Sequence, residues 1–370
     1  MKLTLLTLLP LLVAASPVAR DDGKRLAVFG ENEEPVLLTE AELYAEKGKG
    51  RNYFDVTNNK EDRKAWRGWK AAGGKKAHEQ QYPSPGKYKG QVDQLAAKLD
   101  EGRARDFLTQ FSAYETRYYK SQTGSESQKW LLDQVNKISE GVPHNRKEVS
   151  VRSVSHPWGQ DSIIATLPGN KNKPRVILGA HLDSVAGRDP YSRSPGADDD
   201  GSGTTTLLEA FRVLVENGIK FKNQVEFHWY AGEEAGLLGS QVVAEEYKRQ
   251  GVDVKAYLNC DMTGYFPPGD EHVGIVRDNV NKNLADFVAA SVTTYLGIPA
   301  RDTNCGYACS DHASWNTSGY PAAFSFETEF GKHSPAIHTS ADTIDQPGFS
   351  FKHLLNFSKL AIAFALELAA

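Results

Sequence analysis

The side chains best able to hold a metal ion or move a proton lie between two histidines, His181 and His338. Within that span stand Asp183, the run Asp198-Asp199-Asp200, the pair Glu233-Glu234 and Asp261. His181 and Asp183 are two apart, so in an extended segment their side chains point the same way. His181 can ligate a metal while Asp183 orients its ring, because a ligating imidazole commonly gives its second nitrogen to a carboxylate; Asp183 can equally serve a neighbouring group. Three consecutive carboxylates repel one another unless cations compensate them. The glycines around them leave a second reading open, a turn in which Asp200 or Ser202 caps the next helix. Adjacent glutamates point in different directions, so one of Glu233 and Glu234 can bind a metal while the other aims at the water which that metal activates. Acidic enrichment at a helix N-terminus accounts for such a pair equally well.

Strands must deliver these groups. Val176, Ile177 and Leu178 read as a buried strand running to His181, NQVEFHWYAGEE as one delivering the glutamates, AYLNC as one ending at Asp261, and AAFSFETEF as one leading through GKHSPAI to His338. EVSVRSVS and DSIIATLPG add two more. Helical spacing marks GTTTLLEAFRVLVENG, GSQVVAEEYKRQG and NLADFVAASVTTYLG, three segments ahead of the strands (VDQLAAKLDEG, ARDFLTQFSAYETRYY, SESQKWLLDQVNKISEG) and the final FKHLLNFSKLAIAFALELA. This alternation predicts an α/β fold: a single globular catalytic domain whose central mixed, mostly parallel sheet is flanked by helices on both faces and collects ligands at the carboxyl ends of its strands. Histidines and carboxylates gathered there suit a binuclear zinc site, in which one carboxylate bridges ions about 3.5 to 4 Å apart.

The segments GAHLDS, PGADDDGSG, AGEEAGLLGS, LNCDMTGY, CGYACSDHASW and IHTSADT, in this order, resemble the secreted two-zinc leucine aminopeptidases of bacteria and fungi, from about Lys87 to the C-terminus. The resemblance implies a zinc-peptidase fold with two Zn2+ per chain. His181 and Asp261 would hold one ion, Glu234 and His338 the other, and Asp199 both, since the family's bridging aspartate stands three residues before the Ser202-Gly203 pair. It implies that Glu233 is the general base and that Asp183 supports the first histidine. Cys305 and Cys309 match a disulfide beside the substrate pocket, which Met262, Tyr307, Phe326, Phe330 and Ile337 would line. The reaction implied is hydrolysis of the first peptide bond of peptides and proteins with a free N-terminus, preferring apolar residues such as leucine, by a hydroxide shared between the two ions. No ligand position is substituted. Cys260 departs from the usual aliphatic residue before the aspartate and reads as a small buried thiol. Glutaminyl cyclases have a similar fold but one zinc, which the complete set of five ligands disfavours; a receptor ectodomain or binding module would need missing ligands or added domains.

With 40% hydrophobic and 24% charged residues and a formal net charge of -4, the 370-residue chain has ordinary globular usage. No concentrated basic face marks nucleic acid as a partner. MKLTLLTLLPLLVAAS sets one lysine before about a dozen apolar residues and then small ones, a secretory signal peptide over 1–15 that falls short of the roughly 20 residues a bilayer needs. The mature protein is therefore expected outside the cell, free of the membrane, as a monomer. Residues 20–85 are charged and broken, and read as a propeptide cut at a basic pair such as Lys24-Arg25 or Lys75-Lys76, leaving 86–370 as the catalytic domain; an arm that stays attached is the alternative. Three cysteines exclude a disulfide scaffold, though Cys305 and Cys309 are close enough to close a small loop in an oxidising compartment. Asn316 in NTS and Asn356 in NFS are candidate N-glycosylation acceptors.

Overall fold

The computed structural model describes residues 23–31, 33–57, 80–141 and 149–370. The signal-peptide segment and the Lys75-Lys76 pair lie outside these residues.

The body of the chain is built on strands β4 (Ser150–Val154), β5 (Ser162–Leu167), β6 (Arg175–His181), β7 (Val225–Tyr230), β8 (Val254–Cys260), β9 (Val273–Val276), β10 (Ala300–Thr303) and β11 (Ala322–Phe326). They form one sheet in the order β10-β9-β11-β8-β6-β7-β5-β4. Its centre, β11-β8-β6-β7, is parallel, while β5 and β4 continue antiparallel at one side and β9 joins β11 antiparallel at the other. The mixed sheet with a parallel centre is as expected. The short strands β9 and β10 fall in a stretch where no strand was foreseen.

Strand β6 explains why two layers of helix are needed. Val176, Leu178 and Ala180 enter one buried cluster and Ile177 another, so alternate residues are apolar on both faces. The first face is covered by α5 (Gly201–Glu216) and α9 (Phe351–Ala369), together with α2 (Lys89–Ala96), α3 (Glu101–Phe111), α4 (Gln122–Glu140) and α7 (Lys282–Ser291). The second is covered by α6 (Leu238–Gln250) and α8 (His312–Thr317). Helix α9 is apolar nearly all round, as befits a helix buried on most sides. Among the described residues no helix is long and apolar enough to cross a membrane.

The region expected to lack a core pattern is folded where it is described. Strands β1 (Lys24–Val28), β2 (Val36–Thr39) and β3 (Phe54–Asp55) form a sheet in the order β2-β1-β3, with helix α1 (Glu40–Lys47) between β2 and β3. Thr39 and Glu42 make a reciprocal capping box that starts α1. Much of this module's apolar surface is completed by the body: Leu26, Val28, Phe54 and Val56 cluster with Leu237, Ala308 and Ala313, and Tyr44 with Tyr118, Tyr119, Val185 and Ala235. Lys24-Arg25, one of the two basic pairs read as a cut site, lies in β1, where Arg25 pairs with Asp55 at 2.5 Å and donates to Ala235 O. A protease would have to unravel that strand to reach it.

Candidate metal centre

Each central strand ends on a site residue. His181 closes β6, Glu233 and Glu234 follow β7, and Asp261 follows β8. The three aspartates ahead of α5 divide their work. Asp200 caps the helix by accepting from Gly203 N at 2.8 Å, and also accepts from the amides of His181 and Met262, each at 3.0 Å. Asp198 turns the other way and accepts from Gly264 N at 3.0 Å. Asp199 alone faces the cluster: the capping alternative is right for Asp200 and does not compete with a ligand role for its neighbour.

Asp199 Oδ1 lies 3.1 Å from His181 Nε2, which is 3.5 Å from Asp261 Oδ1. Asp199 Oδ2 lies 3.0 Å from His338 Nε2, which is 3.1 Å from Glu234 Oε2. The result is two donor clusters, His181-Asp199-Asp261 and Asp199-Glu234-His338, that share one carboxylate. Glu233 Oε2 stands 4.0 Å from His181 Nε2, at the edge of the first. Neither ring nitrogen of His181 makes a hydrogen bond, nor does Glu234 Oε1, although all three atoms are buried. Buried polar atoms without partners are costly, and a mixed set of nitrogen and oxygen donors left this way fits zinc.

The electrostatics agree. Burial opposes a charge on His181, yet the Glu233 and Asp261 carboxylates hold its pKa well above the imidazole range. Burial likewise opposes a charge on His338, but Glu234 and Asp199 raise it to about 9. Glu233 is pushed well above the carboxylate range by burial, with Glu234, Asp261 and Asp311 adding to the effect and His181 opposing it. Such a nest of carboxylates calls for compensating cations.

Asp183 stands beside both of the groups left open to it. Its Oδ1 is 3.5 Å from His181 Nδ1, and its two oxygens accept from the amides of Glu233 and Glu234 at 3.0 and 3.1 Å. Ser310 Oγ donates to Asp261 Oδ2 at 2.5 Å. Residues missed at the sequence level support the rest. Asp342 accepts from the amides of Asp198 and Asp199 at 2.9 and 3.1 Å, fixing the loop that presents the shared carboxylate. Asp311 is fully buried within electrostatic reach of His181, and burial pushes its pKa up to about 7. Both sit inside recognised motifs, IHTSADT and CGYACSDHASW, which was the available signal. Met262 and His338 have φ of 56° and 54°, a strained region for residues with a side chain and one that concentrates at functional sites.

Met262, Tyr307, Phe326, Phe330 and Ile337 all line one cavity beside the clusters, joined by Phe324 and His333, which the sequence did not suggest. Cys305 and Cys309 are disulfide-bonded at its wall, and Cys260 is a buried free thiol. Asn356 Nδ2 donates to Glu271 Oε1 at 3.0 Å within α9, a bond that a glycan on that nitrogen would break. Asn316 sits half-buried in α8.

A profile of peptidase family M28 matches residues 162–365, the stretch that carries every one of these donors. The chain belongs to peptidase family M28. Among M28-type relatives, leucine aminopeptidase 1 of Uncinocarpus reesii is 45% identical over 334 residues, covering 87% of this chain and 82% of that protein. The crystal structure of the Legionella pneumophila LapA aminopeptidase superposes with a TM-score of 0.81 at 31% identity, covering 93% of this chain and 98% of that one. A Fimbriiglobus ruber glutaminyl cyclase, at 16% identity and a TM-score of 0.58 over 72% of this chain and 95% of that one, shares the fold alone. The M28 chain described here is thus a metallo-aminopeptidase, a hydrolase whose family points to zinc.

Proposed function

We propose that this M28 enzyme is an extracellular aminopeptidase that uses two zinc ions to remove apolar residues such as leucine from peptides and proteins with a free N-terminus. The observation that carries the reading is Asp199, which offers Oδ1 to the His181-Asp261 group and Oδ2 to the Glu234-His338 group. One zinc would be held by each group, with Asp199 common to both. When bound, the metal supplies Lewis acidity, polarising the scissile carbonyl and making water acidic enough to lose a proton near neutral pH. Glu233 takes that proton on its carboxylate and returns it to the nitrogen of the departing peptide. Its raised proton affinity in the buried cluster suits it to the first half of this task. Asp183 keeps Glu233 and Glu234 in register by holding both of their amides. Acidic groups on one side and a wall of Met262, Phe326, Phe330 and Ile337 on the other favour a free α-amine followed by an apolar side chain. Export is supported by the N-terminal apolar run and by a disulfide, a bond rare in reducing compartments. Residues 20–85 are a propeptide in this reading.

The test is hydrolysis of leucyl substrates with free and blocked N-termini by the purified processed chain, with and without a chelator. Cleavage of only the free substrate, abolished by chelation and restored by zinc, is expected. Equal cleavage of the blocked substrate would overturn the exopeptidase reading, and about one zinc per active chain would overturn the two-metal one.

A further inference from the structure

A polar track crosses the aromatic face of the sheet under α6 and α8 and ends on the metal centre. Tyr257 and Asn259 are two apart on β8, so their side chains point to the same face. Both are fully buried, as is Ser310 just ahead of α8. The Tyr257 hydroxyl donates to Asn259 Oδ1 at 2.7 Å, Asn259 Nδ2 donates to Ser310 Oγ at 2.8 Å, and Ser310 Oγ donates to Asp261 Oδ2 at 2.5 Å.

The chemistry of the partners fixes every direction in this track. An ionised carboxylate only accepts, so Ser310 must give its single proton to Asp261. It can then only accept from Asn259, which must turn its NH2 to the serine and its carbonyl oxygen to Tyr257, and the phenol must donate. Were the amide turned over, its oxygen would compete with Asp261 for the serine proton. Bonds aligned head to tail in this way polarise one another. The fold makes room for the phenol at a cost. Gly179 stands inside β6, opposite Asn259, where glycine weakens a strand and often marks a close approach. A Cβ there would collide with the Tyr257 hydroxyl and stand 2.8 Å from the Tyr230 ring. Trp315 stacks on the Tyr257 ring, with centroids 5.1 Å and planes 17° apart. The hydroxyl is thus held between a backbone notch and an indole.

We propose that Tyr257 and Asn259 are positioning residues of the metal centre. Through Ser310 they occupy Asp261 Oδ2, so that Oδ1, the oxygen 3.5 Å from His181 Nε2, is the one presented to the first ion. This rests on the reading of His181 and Asp261 as ligands of one zinc. A carboxylate fixed at one oxygen cannot rotate away, so the donor set is ordered before the ion arrives.

Two substitutions test this: Tyr257→Phe, which removes one oxygen and keeps the ring, and Asn259→Leu, which removes the amide. Each is made in the His338→Ala chain, which keeps the His181-Asp199-Asp261 group, and in the His181→Ala chain, which keeps the other group. Zinc affinity is measured by competition with a fluorescent chelator, and ligand geometry by the visible spectrum of the Co2+-loaded chain. At the first group, affinity is expected to fall about tenfold with Tyr257→Phe and up to about 100-fold with Asn259→Leu, with altered Co2+ bands; the second group is expected to be unchanged. Tyr247→Phe is the matched control, since it removes a buried hydroxyl on the same face, one that donates to Glu226 Oε2 at 2.9 Å, and it should leave both groups unchanged. Wild-type affinity and spectrum in a folded Tyr257→Phe chain would overturn the inference. So would an equal loss at both groups, an equal loss with Tyr247→Phe, or a His338→Ala chain without affinity for zinc. Tyr257→Phe decides where Asn259→Leu fails to fold. Cleavage of blocked leucyl substrates by a chain that passes these tests would sink the aminopeptidase reading alone.

Discussion

Asp199 presents its two oxygens to different histidines, whereas Asp198 turns to Gly264 N and Asp200 accepts from three amides. Asp199→Ala should therefore deplete metal at both positions, and a variant that still carries about two zinc per chain would remove its bridging role. Glu233 belongs to neither donor cluster. Its replacement by alanine should leave bound zinc near normal while turnover falls by about a hundredfold or more; metal analysis alongside kcat separates the two effects. Asp183 touches no part of the shared centre directly: it stands 3.5 Å from His181 Nδ1 and accepts from the amides of Glu233 and Glu234. Asp183→Ala should lower zinc affinity by about 10- to 100-fold, the usual cost of losing such a partner. A metal-binding titration that matches wild type would contradict it. At this scale the sequence was most informative, because residue type and strand-end placement already limit which side chains can meet. It left open which aspartate of three is the shared one. That choice depends on backbone geometry at the start of α5, which no local pattern encodes, and only the family resemblance pointed to Asp199.

At the scale of elements, the start of α5 ties together the ends of two strands of the sheet. Asp200 caps the helix and accepts from the amides of His181, at the end of β6, and Met262, just past β8. Asp200→Ala would remove the cap and leave buried amides unpaired, a loss of about 3 kcal/mol or more, to be read from the denaturation midpoint of the metal-free chain. A midpoint equal to wild type would show that water replaces the carboxylate. The long buried strands and helices were legible, since β6 to β8 are nearly continuous apolar runs and α5 and α9 repeat at helical spacing. Strands β9 and β10, four residues each, were not. Nor was the three-stranded module: its strands are five, four and two residues long, and Leu26, Val28 and Phe54 find their partners in Leu237, Ala308 and Ala313, hundreds of positions away. An amphipathic pattern shorter than two turns or pleats, completed by distant residues, leaves no period to read. Lys47, in the polar run AELYAEKGKG, carries no sequence sign that it is buried.

The whole molecule should lose stability in mild acid through a buried histidine that belongs to none of the donor clusters. His156 is buried, bonded to Ser162 Oγ at 2.7 Å and stacked on Trp158, and burial lowers its pKa to about 4. The unfolded chain binds that proton near the ordinary value of about 6.5. Because the folded pKa is the lower one, the contribution is fully present above about pH 6.5 and is lost as pH falls towards 4, by up to about 3 kcal/mol. His156→Gln should flatten the stability profile across that window in metal-free protein; an unaltered profile would assign the acid sensitivity elsewhere.

The N-terminal module and the body complete one another's apolar clusters, Leu26, Val28, Phe54 and Val56 with Leu237, Ala308 and Ala313, and Tyr44 with Tyr118, Tyr119, Val185 and Ala235. Neither surface is finished alone, so parting the two would bare apolar area to water at a cost of about 25 cal/mol per Å².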